Sequence, residues 1–242
     1  MVIYENLEDF LKKYPNKTVL FAVANGGMIK LTRNFVRSCL EVGEKLVLFS
    51  VDRKITKKLS PYCDIVKYYT NLGGSKAYDY ESKNFVEIAW YRYFILNEIL
   101  KSGRTIIYSD VDIVVNKPIS EYISKELEKT DCVCQTNGKN CCTGFFAIKP
   151  TKNTIDFFTK KNMNNRNYLT YLDQDFFNNF VFYRKTFDVK LLNINHFPNG
   201  KYFYKYPEYL NKVSYLIHFN NLIGFKNKIQ KMKEHGKWAK LK

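Results

Sequence analysis

The stretch Thr105-Ile106-Ile107-Tyr108-Ser109-Asp110-Val111-Asp112-Ile113-Val114-Val115 decides how this chain is read. Its apolar, β-branched residues predict a buried strand. The run delivers two carboxylates one residue apart and then resumes as a second apolar run. An isolated carboxylate is expensive to bury, so Asp110 and Asp112 require a cation, strong hydrogen-bond donors or access to water at that point. Hard oxygen ligands in this pattern predict a site for a divalent ion and a diphosphate.

Upstream, residues 18–24 predict a strand that Asn25-Gly26-Gly27 breaks. The spacing of Met28, Leu31, Phe35, Cys39 and Val42 then predicts a helix closed by Gly43. Residues 45–51 are a second buried strand, ending in Asp52. Strand, helix and strand make a βαβ unit, which requires parallel strands. A weaker strand lies near 64–69, and the loop over 71–79 contains Gly73-Gly74-Ser75 without P-loop spacing. Over 85–100, Phe85, Ile88, Ala89, Ile95, Leu96 and Ile99 share one helical face, with Arg92 in the middle of the stripe. This helix leads into the Asp110 strand, so it is expected to pack beside that strand and to project a residue toward its end.

Downstream, a short helix is expected over 119–127. A hairpin follows, with strands at 131–136 and 141–148 joined by Asn137-Gly138. Residues 151–161 predict a helix capped by Thr151, 162–167 a loop, and 173–182 a further helix or helical turn. A turn falls at Pro198-Asn199-Gly200, a strand at 213–219, and a basic tail over 226–242. A short helix at 7–14 precedes the first strand.

The 242 residues, 45% of them hydrophobic and 17% aromatic, suffice for a large buried core. The net charge of +16 suits a nucleic acid, an anionic surface or a phosphate-bearing substrate. Lys outnumbers Arg by 32 to 7, and the charges are dispersed, so a solvated basic surface accounts for them equally well. No apolar run reaches the roughly 18–20 residues of a membrane helix. With no signal-like N-terminus, the expectation is a cytoplasmic protein whose six cysteines are free thiols. Cys132, Cys134, Cys141 and Cys142 superficially offer four thiolates, but their separations are unlike the usual C-x2-C pairs of a zinc site.

The order of these motifs resembles the nucleotide-diphospho-sugar glycosyltransferases of the GT-A fold over residues 19–238. The resemblance is carried by Arg92, Tyr108-Ser109-Asp110-Val111-Asp112, the Thr143-Gly144-Phe145-Phe146 turn, Asp173-Gln174-Asp175, and His218 with Gly224 and Lys226. It implies an α/β fold, a single Rossmann-like GT-A domain with a central, mostly parallel mixed sheet flanked by helices. Residues 1–150 would form the nucleotide-binding part and 151–242 the acceptor and metal-completing part. It further implies Mn²⁺ or Mg²⁺ held by Asp110, Asp112 and His218. The donor, a UDP- or GDP-sugar, would be contacted by Ala24, Asn25, Asp52, Asp110, Gly224 and Lys226, with Lys228 an alternative to Lys226. Arg92 would brace the first aspartate and the sugar. Asp173 and Gln174 would line the sugar as in retaining members, with Asp175 the alternative carboxylate. A glycan or other hydroxyl compound would be the acceptor, with the aromatic segment 202–209 a candidate wall for it. An enzyme of a microbe or virus with its own glycan pathway fits this set.

Each residue also has a plainer reading. Asn25 and Asp52 suit turns, Asp173 and Asp175 suit a helix N-terminus, a histidine in an apolar run is often a packed core residue, and Arg92 could be a surface arginine. Many relatives carry Asn where this chain has Cys142, and a thiol is a poor partner for sugar hydroxyls, so donor identity does not transfer. The rival from another class is a basic nucleic-acid-binding protein, which the acidic residues at 110, 112, 173 and 175 oppose. A phosphatase would need the Asp-x-Asp on its first strand, with Thr and Gly soon after.

Overall fold

The computed structural model describes residues 1–71, 82–167 and 170–239. The strands are β1 (Ile3–Tyr4), β2 (Thr18–Ala24), β3 (Leu46–Ser50), β4 (Asp64–Lys67), β5 (Thr105–Ser109), β6 (Ile113–Val115), β7 (Cys132–Thr136), β8 (Cys141–Ile148), β9 (Val189–Leu191) and β10 (Leu216–His218). The helices are α1 (Leu7–Lys13), α2 (Ile29–Glu41), α3 (Arg53–Leu59), α4 (Lys83–Lys101), α5 (Ser120–Leu127), α6 (Lys152–Phe157), α7 (Lys160–Asn164), α8 (Asp173–Phe177), α9 (Gly200–Lys205), α10 (Pro207–Val213) and α11 (Phe225–Glu234). The Gly73-Gly74-Ser75 loop lies outside the described residues.

An eight-stranded sheet runs in the order β1-β4-β3-β2-β5-β8-β7-β9, and β6 and β10 form a separate antiparallel pair. β1, β4, β3, β2 and β5 are mutually parallel, β8 is antiparallel to both β5 and β7, and β9 is parallel to β7. The mostly parallel mixed sheet is therefore present. Alternate residues of β2 serve two cores. Leu20, Ala22 and Ala24 meet α2 and α3 on one face, while Val19, Phe21 and Val23 meet α1 and α4 on the other. A sheet covered on both faces explains why its strands read as continuous apolar runs.

The structure departs from the sequence expectation in several places. Helix α3 follows directly from Asp52, whose carboxylate accepts from Ile55 N at 3.0 Å and thereby caps it. The helix expected over 151–161 is two helices. Thr151 caps α6, and Thr159 opens α7 by accepting from Asn162 N at 3.3 Å, which places helix where a loop was expected. Val213 ends α10, so the last strand is shorter than 213–219. The segment 202–209 spans α9 and the start of α10. Thr143-Gly144-Phe145-Phe146 belongs to β8 and is not a turn. The short strands β1 and β9 lack enough residues for a visible alternation. Among the described residues, no helix is long and apolar enough to cross a membrane.

Two buried polar residues tie distant segments to this frame. Glu44 accepts from Ile119 N at 2.6 Å and Ser120 N at 2.8 Å, capping α5 from 75 residues away. Asn34 on α2 donates to Lys237 O at 3.0 Å and accepts from Ala239 N at 3.2 Å, which fastens the segment following α11.

Candidate functional site

The apolar run 105–115 is two strands, β5 and β6, with Asp110-Val111-Asp112 at the break between them. β5 lies beside β2 in the register Phe21↔Tyr108, so Ala24, the last residue of β2, and Asp110, the residue following β5, stand at the same ends of neighbouring parallel strands. That end is where open α/β sheets receive ligands. The β6–β10 ladder then brings in a segment more than a hundred residues away. His218 pairs with Ile113, and Phe219 N donates to Asp112 O at 3.0 Å.

The result is a compact acidic cluster. His218 Nε2 is 3.2 Å from Asp112 Oδ1 and 4.0 Å from Asp110 Oδ2. One ligand atom from each of Asp110, Asp112 and His218 lies within 4.8 Å of the others. Asp112 and His218 are buried, whereas Asp110 keeps 37% of its side chain exposed and forms the open side. Gly144 is part of this geometry. A Cβ built on it would meet His218 Cε1 at 2.3 Å and Asp110 Oδ2 at 2.7 Å, and its own carbonyl accepts from Asp110 N at 2.7 Å. Two carboxylates and an imidazole around a space that a methyl group would fill are a donor set that fits a divalent cation.

Without an ion, protein cations balance the charge. Lys228 Nζ lies 2.6 Å from Asp112 Oδ2. Burial opposes ionisation of Asp112, but Lys228 and His218 outweigh it and hold the carboxyl well below its usual range. Burial likewise disfavours a charged His218, yet the adjacent Asp112 raises its pKa to about 10. Crowding by protein atoms and the charge of Asp112 push Asp110 upward, against Arg92, His218 and the Tyr108 hydroxyl. Tyr108 donates to Asp110 Oδ1 at 2.7 Å.

Arg92 extends the cluster toward α8. It is buried on α4, reaches Asp110 Oδ1 at 3.4 Å, donates to Thr143 Oγ1 at 2.9 Å and pairs with Asp173 Oδ2. Its guanidinium carbon sits 4.7 Å from the Tyr108 ring centroid. Thr143 Oγ1 in turn donates to Asp173 Oδ2 at 3.0 Å, and Thr143 N donates to Gln174 Oε1 at 3.2 Å. Asp173 and Gln174 are thereby joined to the strand that carries Gly144.

A β-bulge makes this possible. Cys134 of β7 pairs with Phe146, but Gln135 pairs with Cys142, so residues 143–145 leave the β7 ladder. The alternation along β8 shifts there, and Thr143 and Gly144 become available to the site. Gln135, fully buried, faces His218, with its Oε1 2.8 Å from Nδ1.

The structure does not bring together every residue singled out in the sequence. Asp175 is exposed and stands apart from the Asp173 network. Lys226 is exposed as well, and it is Lys228, one half-turn further along α11, that enters the cluster. Gly224, at φ +88, supplies the left-handed residue from which α11 starts. Ala24, Asn25 and Asp52 cluster at the β2 and β3 ends, where Val51 N donates to Ala24 O at 3.1 Å. Asn25 Oδ1 accepts from Gly27 N at 3.1 Å, and Asp52 Oδ2 accepts from Gly26 N at 2.5 Å, so both side chains shape the turns. Gln135 carried no role in the sequence reading, and Thr143 entered it only as part of the 143–146 motif, without a contact assigned to it. A glutamine inside Cys-Val-Cys-Gln-Thr and a glycine inside the facing strand were the available signals of a polar contact and a bulge. The six cysteines are unpaired and buried, and the four of β7 and β8 lie within the sheet. A cavity of about 750 Å³ at the β1/β4 edge is lined by Arg53, Thr56, Lys57, Lys67 and Tyr69, and none of the cluster residues borders it.

The chain matches the family described as nucleotide-diphospho-sugar transferase over residues 42–232. An uncharacterized protein of Arabidopsis thaliana is 25% identical over 166 residues, covering 60% of this chain and 50% of that protein, so the chain spans about half the length of this curated relative. In fold it is similar to a glycosyltransferase involved in glycosylation of the major capsid of PBCV-1, at 13% identity, TM-score 0.58, and coverage of 90% of this chain and 100% of that one. The galactosyltransferase LgtC, solved with donor and acceptor sugar analogs, gives TM-score 0.59 at 11% identity, with 93% and 97% coverage. Mouse xyloside xylosyltransferase 1 gives TM-score 0.55 at 11% identity, with 86% and 99% coverage.

Proposed function

Since the chain belongs to the nucleotide-diphospho-sugar transferase family, we propose that it transfers a sugar from a UDP- or GDP-sugar to a hydroxyl of a glycan acceptor, using Mn²⁺ or Mg²⁺. The observation that carries this reading is the Asp110–Asp112–His218 cluster around the space left by Gly144. When bound there, the ion supplies Lewis-acid stabilisation to the departing diphosphate. Asp110, Asp112 and His218 hold it, with Asp110 on the open side. Lys228, already charged and at the cluster, is the lysine we assign to the diphosphate, in place of Lys226. Ala24, Asn25 and Asp52 stand where the nucleoside would lie, and the Asn25 and Asp52 side chains fix the backbone of the turn against it.

Arg92 holds Asp110 and Asp173 at once, so the metal side and the sugar side of the site keep a fixed separation. Asp173 would accept from sugar hydroxyls, and the Gln174 amide would lie near the anomeric carbon. The Asp173-Gln174 pair supports transfer with retention, in which the departing phosphate oxygen takes the acceptor proton on the same face and no separate base is needed. The division of labour follows the chain, with residues 1–150 serving the nucleotide and 151–242 completing the metal site and the acceptor side. The free, buried cysteines support the expected cytoplasmic setting.

The test is a panel of UDP- and GDP-sugars incubated with Mn²⁺ or Mg²⁺, scored by slow donor hydrolysis and by thermal stabilisation. The parent should be stabilised by at least one donor only with metal present, and Asp112→Asn should lose that response. No response to any donor, with parent and Asp112→Asn alike toward UDP and GDP, would remove the transferase reading. Tight, salt-sensitive oligonucleotide binding that survives chelation would replace it with a nucleic-acid function.

A further inference from the structure

The hydrogen bonds behind His218 carry information that the acidic side of the ring does not. Gln135 lies at the β-bulge between β7 and β8 and is completely buried. Its Nε2 donates to Phe197 O at 3.1 Å and to Pro198 O at 2.9 Å. The reverse amide orientation would set an oxygen with no proton against two carbonyl oxygens, so the orientation is chemically determined. Oε1 is therefore the atom facing His218 Nδ1 at 2.8 Å, and it can only accept. The proton of that bond must sit on Nδ1.

From this we infer that Gln135 is a positioning residue for His218. It holds the imidazole with Nδ1 protonated, so Nε2, the atom facing Asp110 and Asp112, is the nitrogen offered to a cation. The anchor is rigid because one glutamine ties three segments. The bulge supplies Gln135, the turn at Phe197-Pro198 supplies its acceptors, and β10 supplies His218, whose own N donates to Pro198 O at 3.1 Å. Cys142 Sγ, 3.8 Å from Nδ1, is the ring nitrogen's other polar neighbour, and Asn220 Nδ2 donates to that sulfur at 3.6 Å. A thiol is too weak an acceptor to hold the ring alone.

This inference rests on the metal-dependent reading of the cluster, and its test separates the two. In the metal-free parent protein, with histidine labelled by ¹⁵N, the Nδ1 proton of His218 should exchange slowly with solvent. Mn²⁺ affinity is measured independently by paramagnetic titration. Gln135→Met fills a similar volume without hydrogen bonds. It should lose the slow Nδ1 proton and weaken Mn²⁺ binding by about 10–100-fold. Gln135→Glu keeps an acceptor toward Nδ1 and, set against the Phe197 and Pro198 carbonyl oxygens, is held as the neutral acid whose single O–H donates to one of them. It should retain the slow proton and stay within about fivefold of the parent affinity. Circular dichroism checks that both variants fold. Absence of the slow Nδ1 proton from the parent, or equal weakening in both variants, would overturn the role of Gln135. A parent that shows the proton but binds neither Mn²⁺ nor Mg²⁺ would overturn the metal reading.

Discussion

Lys228 Nζ and Asp112 Oδ2 lie 2.6 Å apart although 116 residues separate them, and Lys226 on the same helix points into solvent. Lys228→Ala should lower kcat/KM by about 10–100-fold, the range for losing a hydrogen bond to a charged group. Lys226→Ala should stay within about twofold, as surface changes do. Steady-state kinetics on the best donor decide between them, and equal losses would contradict the assignment.

Gly144→Ala places a methyl group within 2.3 Å of His218 Cε1 and 2.7 Å of Asp110 Oδ2. Overpacking of this kind costs about 1–3 kcal/mol of stability. The larger expected effect is a fall of about 100-fold in kcat/KM, because displaced ligands no longer hold the ion in place. Titration with Mn²⁺ should show weakened binding in a protein that still unfolds cooperatively.

Arg92 reaches Asp110 through Nη1 and Thr143 and Asp173 through Nη2, a planar fork that the compact ammonium of lysine does not reproduce. Arg92→Lys and Asp173→Asn should each reduce kcat/KM substantially. Combined, they should cost less than their sum, by about 1 kcal/mol or more, because they interrupt one network. Strict additivity in a double-mutant cycle would show that the two residues act separately.

Asp112 raises the His218 pKa from 6.5 to about 10 in the metal-free protein. A histidine raised on folding contributes its full stability below its ordinary value, and the contribution disappears as pH rises through the folded value. The Tm in EDTA should therefore decline between pH 6.5 and about 10. Asp112, depressed chiefly by Lys228 against its burial, adds stability that is present above the ordinary carboxylate value of 3.8 and is lost on further acidification. Saturating Mg²⁺ should flatten the alkaline decline, since the ion replaces the imidazolium as counter-charge. A Tm in EDTA that is level across that range would refute the pairing.

Glu44 provides a control remote from the cluster. Glu44→Ala leaves Ile119 N and Ser120 N without their acceptor and should destabilise the protein by about 2–4 kcal/mol. The urea midpoint should fall at unchanged slope, while Mn²⁺ affinity in the folded protein stays at the parent value.

What the chain alone determined is local and periodic. The apolar runs at 18–24, 45–51 and 105–115 mark buried strands because both sheet faces are covered, and the stripe on 85–100 put Arg92 on the buried side of α4. Asp110 and Asp112 stood out because carboxylates inside such a run need compensation. The tertiary structure decided which distant groups supply it. The β6–β10 register set His218 beside Asp112, the helical phase of α11 selected Lys228 over Lys226, and exposure separated Asp175 from Asp173. The bulge that turns Thr143 and Gly144 into the site and sets Gln135 behind His218 is an offset between two strands. Such choices depend on pairing register and packing between segments far apart in the chain. One-dimensional spacing records the period of a strand or helix, not the partner against which it is set.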